Sequence, residues 1–167
     1  MLRPTVINNW SGTAYNFDEE KLLQIARRGA DIGLEQFVLD DGWFGKRNSN
    51  TNSLGDWYVN KEKLPGGLKA LAEKINGMGL KFGLWTEPEM VSPDSNLYRS
   101  HPDWCIHCEN RTRTENANQL VLDLSRDEVC DYIINILTEL LKSANIEFIK
   151  WDCNRNITET KDGEQRH

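Results

Sequence analysis

The sequence predicts an α/β protein in which helices cover a parallel β-sheet. Short apolar runs alternate along the chain with longer stretches whose apolar residues recur at helical spacing, and this alternation is typical of repeated βα units. The chain has 167 residues, which is enough for one domain with a sizeable core. We therefore expect a single folded unit.

The first part of the chain predicts a strand, a helix and a second strand. We expect the first strand at residues 5–9, then a helix that Asp18 caps and Gly33 ends. The second strand is expected at residues 36–40. A polar segment at residues 41–64 follows, and it far exceeds the roughly 2 to 6 residues usual for a βα loop. Such long loops are usually functional.

The middle of the chain predicts one further helix and strand before a second long loop. We expect Pro65 to open the helix and Gly79 to close it. The third strand is expected at Lys81–Thr86, and the second long polar segment covers residues 87–118.

The last part of the chain predicts a short strand, a long helix and the fourth main strand. A strand-like run at residues 120–124 precedes a helix at residues 127–143, which Ser125 is expected to cap. The fourth main strand is expected at residues 147–152.

These elements predict a partial (β/α)8 TIM barrel, comprising roughly its first four βα units. A complete barrel typically needs about 250 residues, so the sequence accounts for about half of one. We interpret residues 1–157 as the N-terminal half of a barrel and residues 158–167 as a polar, frayed tail.

Composition excludes several classes of partner. The net charge is -6 and the isoelectric point is near 5.1, so the protein should repel nucleic acid and anionic lipid. We find no apolar run of the roughly 20 residues that a membrane span needs and no signal-peptide pattern. The 4 cysteines are too few for a disulfide framework. We therefore expect a cytoplasmic protein with reduced thiols.

Carboxylates follow three of the predicted strands. Asp40 and Asp41 follow the second strand, Glu87 and Glu89 follow the third, and Asp152 ends the fourth. Taken singly, each of these acids is better explained as a solvated loop residue or a helix cap. Because the carboxyl ends of barrel strands form the active face, the acids together predict one site on one rim.

Lys150 and Asp152 lie two residues apart on the fourth strand, so strand alternation turns them to the same side. An ammonium group beside a carboxylate favours its ionised form, which suits a nucleophile and disfavours a general acid. A plain ion pair at a strand end is the simpler alternative. The neighbouring carboxylates favour the catalytic interpretation.

Several of the 6 tryptophans lie beside these carboxylates. Trp85, Trp10 and Trp43 lie at strand ends, where each can either pack against a sugar ring or fill the core. Trp57 and Trp104 lie in the long polar segments, where anchoring a loop is the simpler role. Sequence pattern alone does not separate these alternatives.

The Cys105-Ile106-His107-Cys108 motif has the spacing of half a zinc site or of a thiol-exchange pair. No second pair of ligands with zinc spacing occurs in the sequence, so ordinary loop cysteines are the better interpretation. We expect no metal and no cofactor.

Six motifs, taken together and in order, carry a resemblance to a known family. They are Asp40-Asp41-Gly42-Trp43-Phe44, Leu54-Gly55-Asp56-Trp57, Phe82-Gly83-Leu84-Trp85 with Glu87-Pro88-Glu89-Met90-Val91, Ser92-Pro93-Asp94-Ser95, His101-Pro102-Asp103-Trp104, and Lys150-Trp151-Asp152-Cys153-Asn154-Arg155. They resemble the catalytic barrel of the melibiase-type α-galactosidases of glycoside hydrolase family 36. The resemblance covers nearly the whole chain.

The resemblance implies a retaining hydrolysis of terminal α-galactosyl residues in raffinose- or melibiose-type oligosaccharides, with Asp152 as the nucleophile. It places the general acid/base on a later barrel strand, beyond His167. The acid is therefore expected to be absent from these residues, and the isolated chain is expected to be inactive or nearly so. Neither Glu87 nor Glu89 holds that role in the family.

The resemblance also implies binding roles for five residues. Asp40 and Asp41 would accept hydrogen bonds from galactose hydroxyl groups, and Trp85 would pack against the sugar. Lys150 and Asn154 would hold hydroxyl groups beside the nucleophile.

Other functions stay open at this point. A related retaining α-glycosidase or a galactosyl transferase can use the same barrel. A non-catalytic sugar-binding or assembly module is the alternative from another class. Half a barrel leaves sheet edges and an apolar face uncovered, so we expect association through that surface or with the missing half.

Overall fold

A computed structural model of the chain describes residues 3–108 and 111–157. The elements in chain order are β1 (Val6–Asn8), α1 (Trp10–Thr13), α2 (Glu19–Asp31), β2 (Gln36–Leu39), α3 (Gly67–Asn76), β3 (Lys81–Thr86), β4 (Met90–Val91), α4 (Asn96–Ser100), a 3-10 helix (Pro102–Trp104), β5 (Leu120–Val121), α5 (Asp127–Ser143) and β6 (Phe148–Trp151). The predicted tail at residues 158–167 lies outside the described residues.

The main sheet has 4 strands in the order β1-β2-β3-β6. All three pairings are parallel, with Val6 opposite Gln36, Gln36 opposite Lys81 and Gly83 opposite Phe148. Each strand is followed along the chain by a helix before the next strand of the sheet, as βα repeats require. The predicted α/β class with a parallel sheet is confirmed, and the described strands form an open sheet.

The inner strands carry the core. Every residue of β2 is buried, and β3 is buried from Phe82 onward, because helices and long loops cover both faces of these strands. The outer strands β1 and β6 are partly exposed. No helix in the described part of the chain is both long and apolar enough to cross a membrane.

The helix α2 has the capping predicted from its sequence. The Asp18 carboxylate accepts a hydrogen bond from the backbone N–H of Lys21 (2.9 Å), and Gly33 adopts a φ of 83° just past the helix. That left-handed conformation lets Leu34 N–H reach the carbonyl of Gly29 (3.0 Å). Leu22 and Ala26 face the core.

The predicted start of α3 and the predicted cap of α5 were wrong. The helix α3 begins at Gly67 instead of at Pro65, because Gly67 has a φ of 78° and closes a turn onto Leu64 before regular helix can form. Its last regular residue is Asn76, and tighter turns continue to Gly79. Ser125 does not cap α5, since its hydroxyl donates to Asp123 (2.6 Å).

The long polar segments are folded into the domain. Trp43, Phe44 and Trp57 from the first segment pack with Trp85 of β3 in the main core. The second segment contains α4 and β4, which the sequence did not predict, and β4 pairs with a β5 shorter than the predicted run. These loops therefore form the wall over the carboxyl ends of the strands.

Candidate active site

A cavity of about 220 Å³ lies at the carboxyl ends of the main strands. All of the predicted site residues line it, namely Asp40, Asp41, Trp85, Lys150, Asp152 and Asn154. The parallel register brings these residues together, because each follows or ends a strand on the same edge of the sheet. The expected convergence of the strand-end acids is observed for Asp40, Asp41, Glu87 and Asp152, whereas Glu89 does not line the cavity.

Asp152 is held by three N–H donors. The indole N–H of Trp85 and the amide of Asn154 both donate to Oδ2 at 2.9 Å, and the backbone N–H of Cys153 reaches Oδ1 at 3.2 Å. Burial alone would raise the pKa of Asp152. The hydrogen bonds from Trp85 and Asn154, followed by the charge of Lys150, outweigh burial and leave the pKa of Asp152 below its ordinary value.

Lys150 forms its ion pair with Asp40 instead of with Asp152. Its Nζ lies 2.8 Å from Oδ2 of Asp40, and that oxygen also accepts from the Asn8 side-chain amide. The direct pairing that strand alternation suggested is therefore corrected. Lys150 still acts on Asp152 through its charge, at longer range.

Asp41 belongs to a buried ion pair that the sequence did not predict. Arg47 donates to the Asp41 carboxylate through Nε (3.0 Å) and Nη2 (2.9 Å), and both side chains are almost completely buried. The Tyr15 hydroxyl donates to the same carboxylate at 3.0 Å. Burial, followed by the charge of Asp41, raises the pKa of Tyr15, so the phenol stays protonated.

The turn between Asp41 and Arg47 depends on Gly42. Its φ of 104° lies in the left-handed region, and a Cβ there would meet the rings of Tyr15 (3.1 Å) and Phe17 (3.2 Å). The glycine therefore allows the sharp turn after β2 that keeps Asp40 and Asp41 at the cavity.

Glu87 is completely buried beside the cavity. Its Oε1 accepts from the backbone N–H of Asn154, and its Oε2 accepts from the Gln119 amide at 3.1 Å. Burial is the main reason that the pKa of Glu87 is raised, and the negative charge of Asp152 adds to it.

The tryptophans separate into two roles. Trp43 is fully buried and donates its indole N–H to the carbonyl of Trp85 (3.0 Å), so it is a core residue. Trp57 is also part of the core, and Trp104 stacks on His101. Trp10 lines the cavity while 38% exposed, whereas Trp85 reaches the cavity with only 1% of its surface exposed.

The cysteines of the Cys105–Cys108 motif lie in the interior. Both are buried, and burial raises the pKa of Cys105 to about 11. Cys105 also pairs with Leu122 in a backbone bridge. Within residues 3–108 and 111–157, no three His, Cys, Asp or Glu side chains are grouped so that they could hold a metal ion.

Sequence reasoning missed Arg47, Tyr15 and Gln119 as members of the site. Arg47 and Gln119 lie in irregular segments, where no periodicity indicates which way a side chain points. An arginine in the loop directly after paired aspartates was the one available signal, since a buried carboxylate needs a cation.

Comparison with known proteins gives a consistent result. The melibiase family model matches residues 1–167. The α-galactosidase AgaA of Geobacillus stearothermophilus is 59% identical over 157 residues, which is 94% of this chain and 22% of that protein. The crystal structure of the family GH36 α-galactosidase AgaB from the same species has a TM-score of 0.91 and 60% identity, again over 94% of this chain and 22% of that one.

Related crystal structures show what these proteins bind. Variants of Geobacillus AgaA have been solved in complex with raffinose and with stachyose, with TM-scores of 0.91 to this chain at 59% and 58% identity. Each alignment covers 94% of this chain and 22% of the solved one.

The chain spans about 22% of the length of these relatives, so the comparison concerns only that part of each of them. Over that part, the family model matches from end to end, and the described fold coincides with the solved structures. The chain therefore belongs to the melibiase family, together with the GH36 α-galactosidases.

Proposed function

We propose that this chain supplies the nucleophile and part of the sugar pocket of a retaining α-galactosidase. The observation that carries the proposal is the environment of Asp152, a cavity carboxylate held ionised by Trp85, Asn154 and the charge of Lys150. An ionised carboxylate at the mouth of a pocket suits attack on an anomeric carbon.

The two oxygens of Asp152 are not equivalent. Oδ2 accepts two hydrogen bonds, whereas Oδ1 accepts one longer bond from a backbone N–H. The less engaged oxygen keeps more of its electron density for bond formation, so we assign attack to Oδ1. A C1–Oδ1 bond forms as the bond to the leaving oxygen breaks, and water later releases galactose from the enzyme with net retention.

The remaining cavity groups fit the hydroxyl groups of a sugar. Asp40 and Asp41 present carboxylate oxygens, while Lys150 and Asn154 present N–H donors beside Asp152. Trp85 and Trp10 both border the cavity, and the more exposed Trp10 offers most of the apolar surface to the C–H faces of the ring. In this proposal Trp85 has a second role, because its N–H also holds the nucleophile.

We propose that the general acid/base lies outside these 167 residues. The acid must carry a proton to the leaving oxygen, and it stands about 5 to 5.5 Å from the nucleophile in retaining enzymes. The other cavity carboxylates already act as acceptors: Asp40 pairs with Lys150, Asp41 pairs with Arg47, and both oxygens of Glu87 receive N–H donors. On this account the isolated chain has little or no turnover.

The substrate class follows from the relatives. AgaA variants bind raffinose and stachyose, which carry terminal α-galactosyl residues. We extend that class to this chain, with the terminal galactose in the cavity and the rest of the oligosaccharide toward solvent.

We further propose that residues 1–157 form the N-terminal half of a TIM barrel that associates with the remaining strands. Val6 of β1 and Phe148 and Trp151 of β6 are large apolar residues left exposed on the outer strands, where further strands would cover them. A cytoplasmic location is proposed because Cys105, Cys130 and Cys153 are in the thiol form.

The proposed function is tested on the protein at its full natural length with an aryl α-galactoside. We expect the first galactose released to be the α-anomer by NMR, and we expect Asp152→Asn to lower kcat at least about 10³-fold. Asp131→Asn is the matched control, because Asp131 is exposed on α5 and should leave kcat unchanged.

Release of the β-anomer would contradict the retaining mechanism. Full turnover by residues 1–167 alone, lost in Asp152→Asn, would contradict the assignment of the acid/base to another part of the protein.

A further inference from the structure

Glu87 closes a ring of hydrogen bonds around one wall of the cavity. It accepts from the backbone N–H of Asn154 on one side and from the side-chain amide of Gln119 on the other. The next residue after Asn154, Arg155, donates through Nη1 to the backbone carbonyl of Gln119 (2.8 Å). The end of β3, the segment after β6 and the start of β5 are therefore joined through three side chains.

The carboxylate in this ring is held only by neutral donors. Glu87 is completely buried, and no lysine or arginine of the described residues forms an ion pair with it. Its charge also lies close enough to Asp152 for the two anions to repel. Burying a carboxylate without a cation is costly, so the hydrogen bonds that it accepts are expected to serve the site.

Geometry indicates that role. A carboxylate presents two acceptor oxygens and no donor, which matches the two N–H groups that face Glu87. One of these N–H groups belongs to the backbone of Asn154, whose side-chain amide donates to Oδ2 of Asp152 (2.9 Å). The position of the Asn154 backbone thus determines where its amide meets the nucleophile.

We propose that Glu87 is a positioning residue that fixes the Asn154 backbone and thereby aims the Asn154 amide at Asp152. The inference rests on the proposed function, since it assigns Asp152 as the nucleophile. Through Gln119, the same carboxylate fixes the segment that carries Ala117 to the cavity wall. Glu87 touches neither substrate nor reacting atoms in this account.

Two substitutions at position 87 test the proposal in the protein at its full natural length. Glu87→Met leaves no side-chain oxygen to accept from the Asn154 N–H. Glu87→Gln keeps one oxygen for that N–H, and its NH₂ group can donate to Oε1 of Gln119 once the Gln119 amide turns over, since that oxygen has no hydrogen-bond partner among the described residues.

We expect Glu87→Met to lower kcat for an aryl α-galactoside by roughly 10- to 100-fold with little change in KM, because a small misplacement of the nucleophile acts on the chemical step. Glu87→Gln should recover most of the lost kcat, because it restores the acceptor for the Asn154 N–H. Wild-type kcat in Glu87→Met, or a Glu87→Gln variant no better than Glu87→Met, would overturn the proposal.

Glu89→Gln is the matched control at the same strand end. Glu89 lies outside the cavity and accepts from the indole N–H of Trp151 (2.8 Å), and a glutamine oxygen can still accept that bond. We expect its kcat to stay within about twofold of wild type.

A second measurement separates this proposal from the proposed function. Amide hydrogen exchange at Asn154 depends on its bond to Glu87 and does not depend on catalysis. Absence of galactosidase activity in the wild-type protein would contradict the proposed function. Exchange at Asn154 that is no faster in Glu87→Met than in wild type would contradict the role of Glu87, whatever the activity.

Discussion

The chemistry at Asp152 depends on a balance between burial and hydrogen bonding. Burial in the cavity favours the neutral acid, while the donors Trp85 and Asn154 and the nearby charge of Lys150 favour the carboxylate. The hydrogen bonds and the charge together outweigh burial, so Asp152 is ionised at neutral pH. Trp85 donates at 2.9 Å and is packed in the aromatic core, so its indole N–H is the most rigidly held of these donors.

Removal of the Trp85 donor should therefore change the pH dependence of the proposed hydrolysis. In Trp85→Phe we expect the pKa of Asp152 to rise, because the carboxylate loses a hydrogen bond that favours its charged form. Nucleophilic attack requires the ionised form, so activity should be lost as pH falls through this pKa. The acid limb of kcat/KM should thus move to higher pH.

The control for this prediction is Trp104→Phe, because Trp104 stacks on His101 and does not line the cavity. Its acid limb should match that of the wild type. An acid limb that stays in place in Trp85→Phe would contradict the role given to the indole N–H.

The Arg47–Asp41 pair should contribute strongly to stability. Both side chains are almost completely buried, so Arg47→Met would leave a buried carboxylate without its cation and should cost about 3–5 kcal/mol. Arg99→Met removes a comparable pair with Asp94 whose side chains are 55% and 69% exposed, and it should cost less than about 1 kcal/mol. Urea unfolding measures the free energy of unfolding of both variants. Equal losses in the two would contradict the prediction that burial sets the cost of breaking the pair.

The sequence allowed the acids of the site to be predicted, but not their partners. Asp40, Asp41 and Asp152 follow from the rule that parallel strands end on one edge. Strand alternation describes neighbours within one strand, so it predicts an ion pair between Lys150 and Asp152. In the folded sheet, Lys150 instead forms its ion pair with Asp40, which follows another strand. Arg47 lies in an irregular loop, so only the folded chain reveals that it meets Asp41.

At the scale of the elements, periodic signals were reliable and irregular segments were not. The bounds of β3 and α5 agree with the prediction, since apolar spacing alone determines them. The first long polar segment is a loop, as its Asn, Ser and Gly content predicts, and Trp43, Phe44 and Trp57 pack it into the core. Ser125 was a plausible cap by residue type, but Asp123 competes for its hydroxyl.

The cap of α2 gives a direct test at this scale. Asp18→Ala removes the acceptor for Lys21 N–H and should cost about 1 kcal/mol of unfolding free energy. Asp18→Asn keeps a side-chain oxygen in the same place, so it should lower the free energy of unfolding by only a few tenths of the amount expected for Asp18→Ala. Urea unfolding of both variants checks this, and equal losses would show that the charge of Asp18 matters and its hydrogen bond does not.

At the scale of the whole molecule, the sheet has two uncovered edges. Val6 and Phe148 are 47% and 45% exposed on β1 and β6, the outer strands. Unpaired strand edges with apolar side chains favour association. In the relatives, the matching region belongs to a chain more than four times longer, since the match covers 22% of their length.

The isolated chain should therefore associate with itself. We expect its sedimentation coefficient to rise with protein concentration, and we expect Phe148→Lys to reduce that rise because it places a charge on the edge of β6. Ile134→Lys is the control, since Ile134 is exposed on α5, away from the sheet edge. A chain that stays monomeric at all concentrations would contradict the proposed role of the edges.

The nucleophile assignment is tested most directly by trapping the galactosyl enzyme. The protein at its full natural length is treated with an activated fluorogalactosyl inhibitor, digested, and mapped by mass spectrometry. We predict one labelled peptide, with the sugar attached to the carboxylate of Asp152. A label on any other side chain would contradict the account.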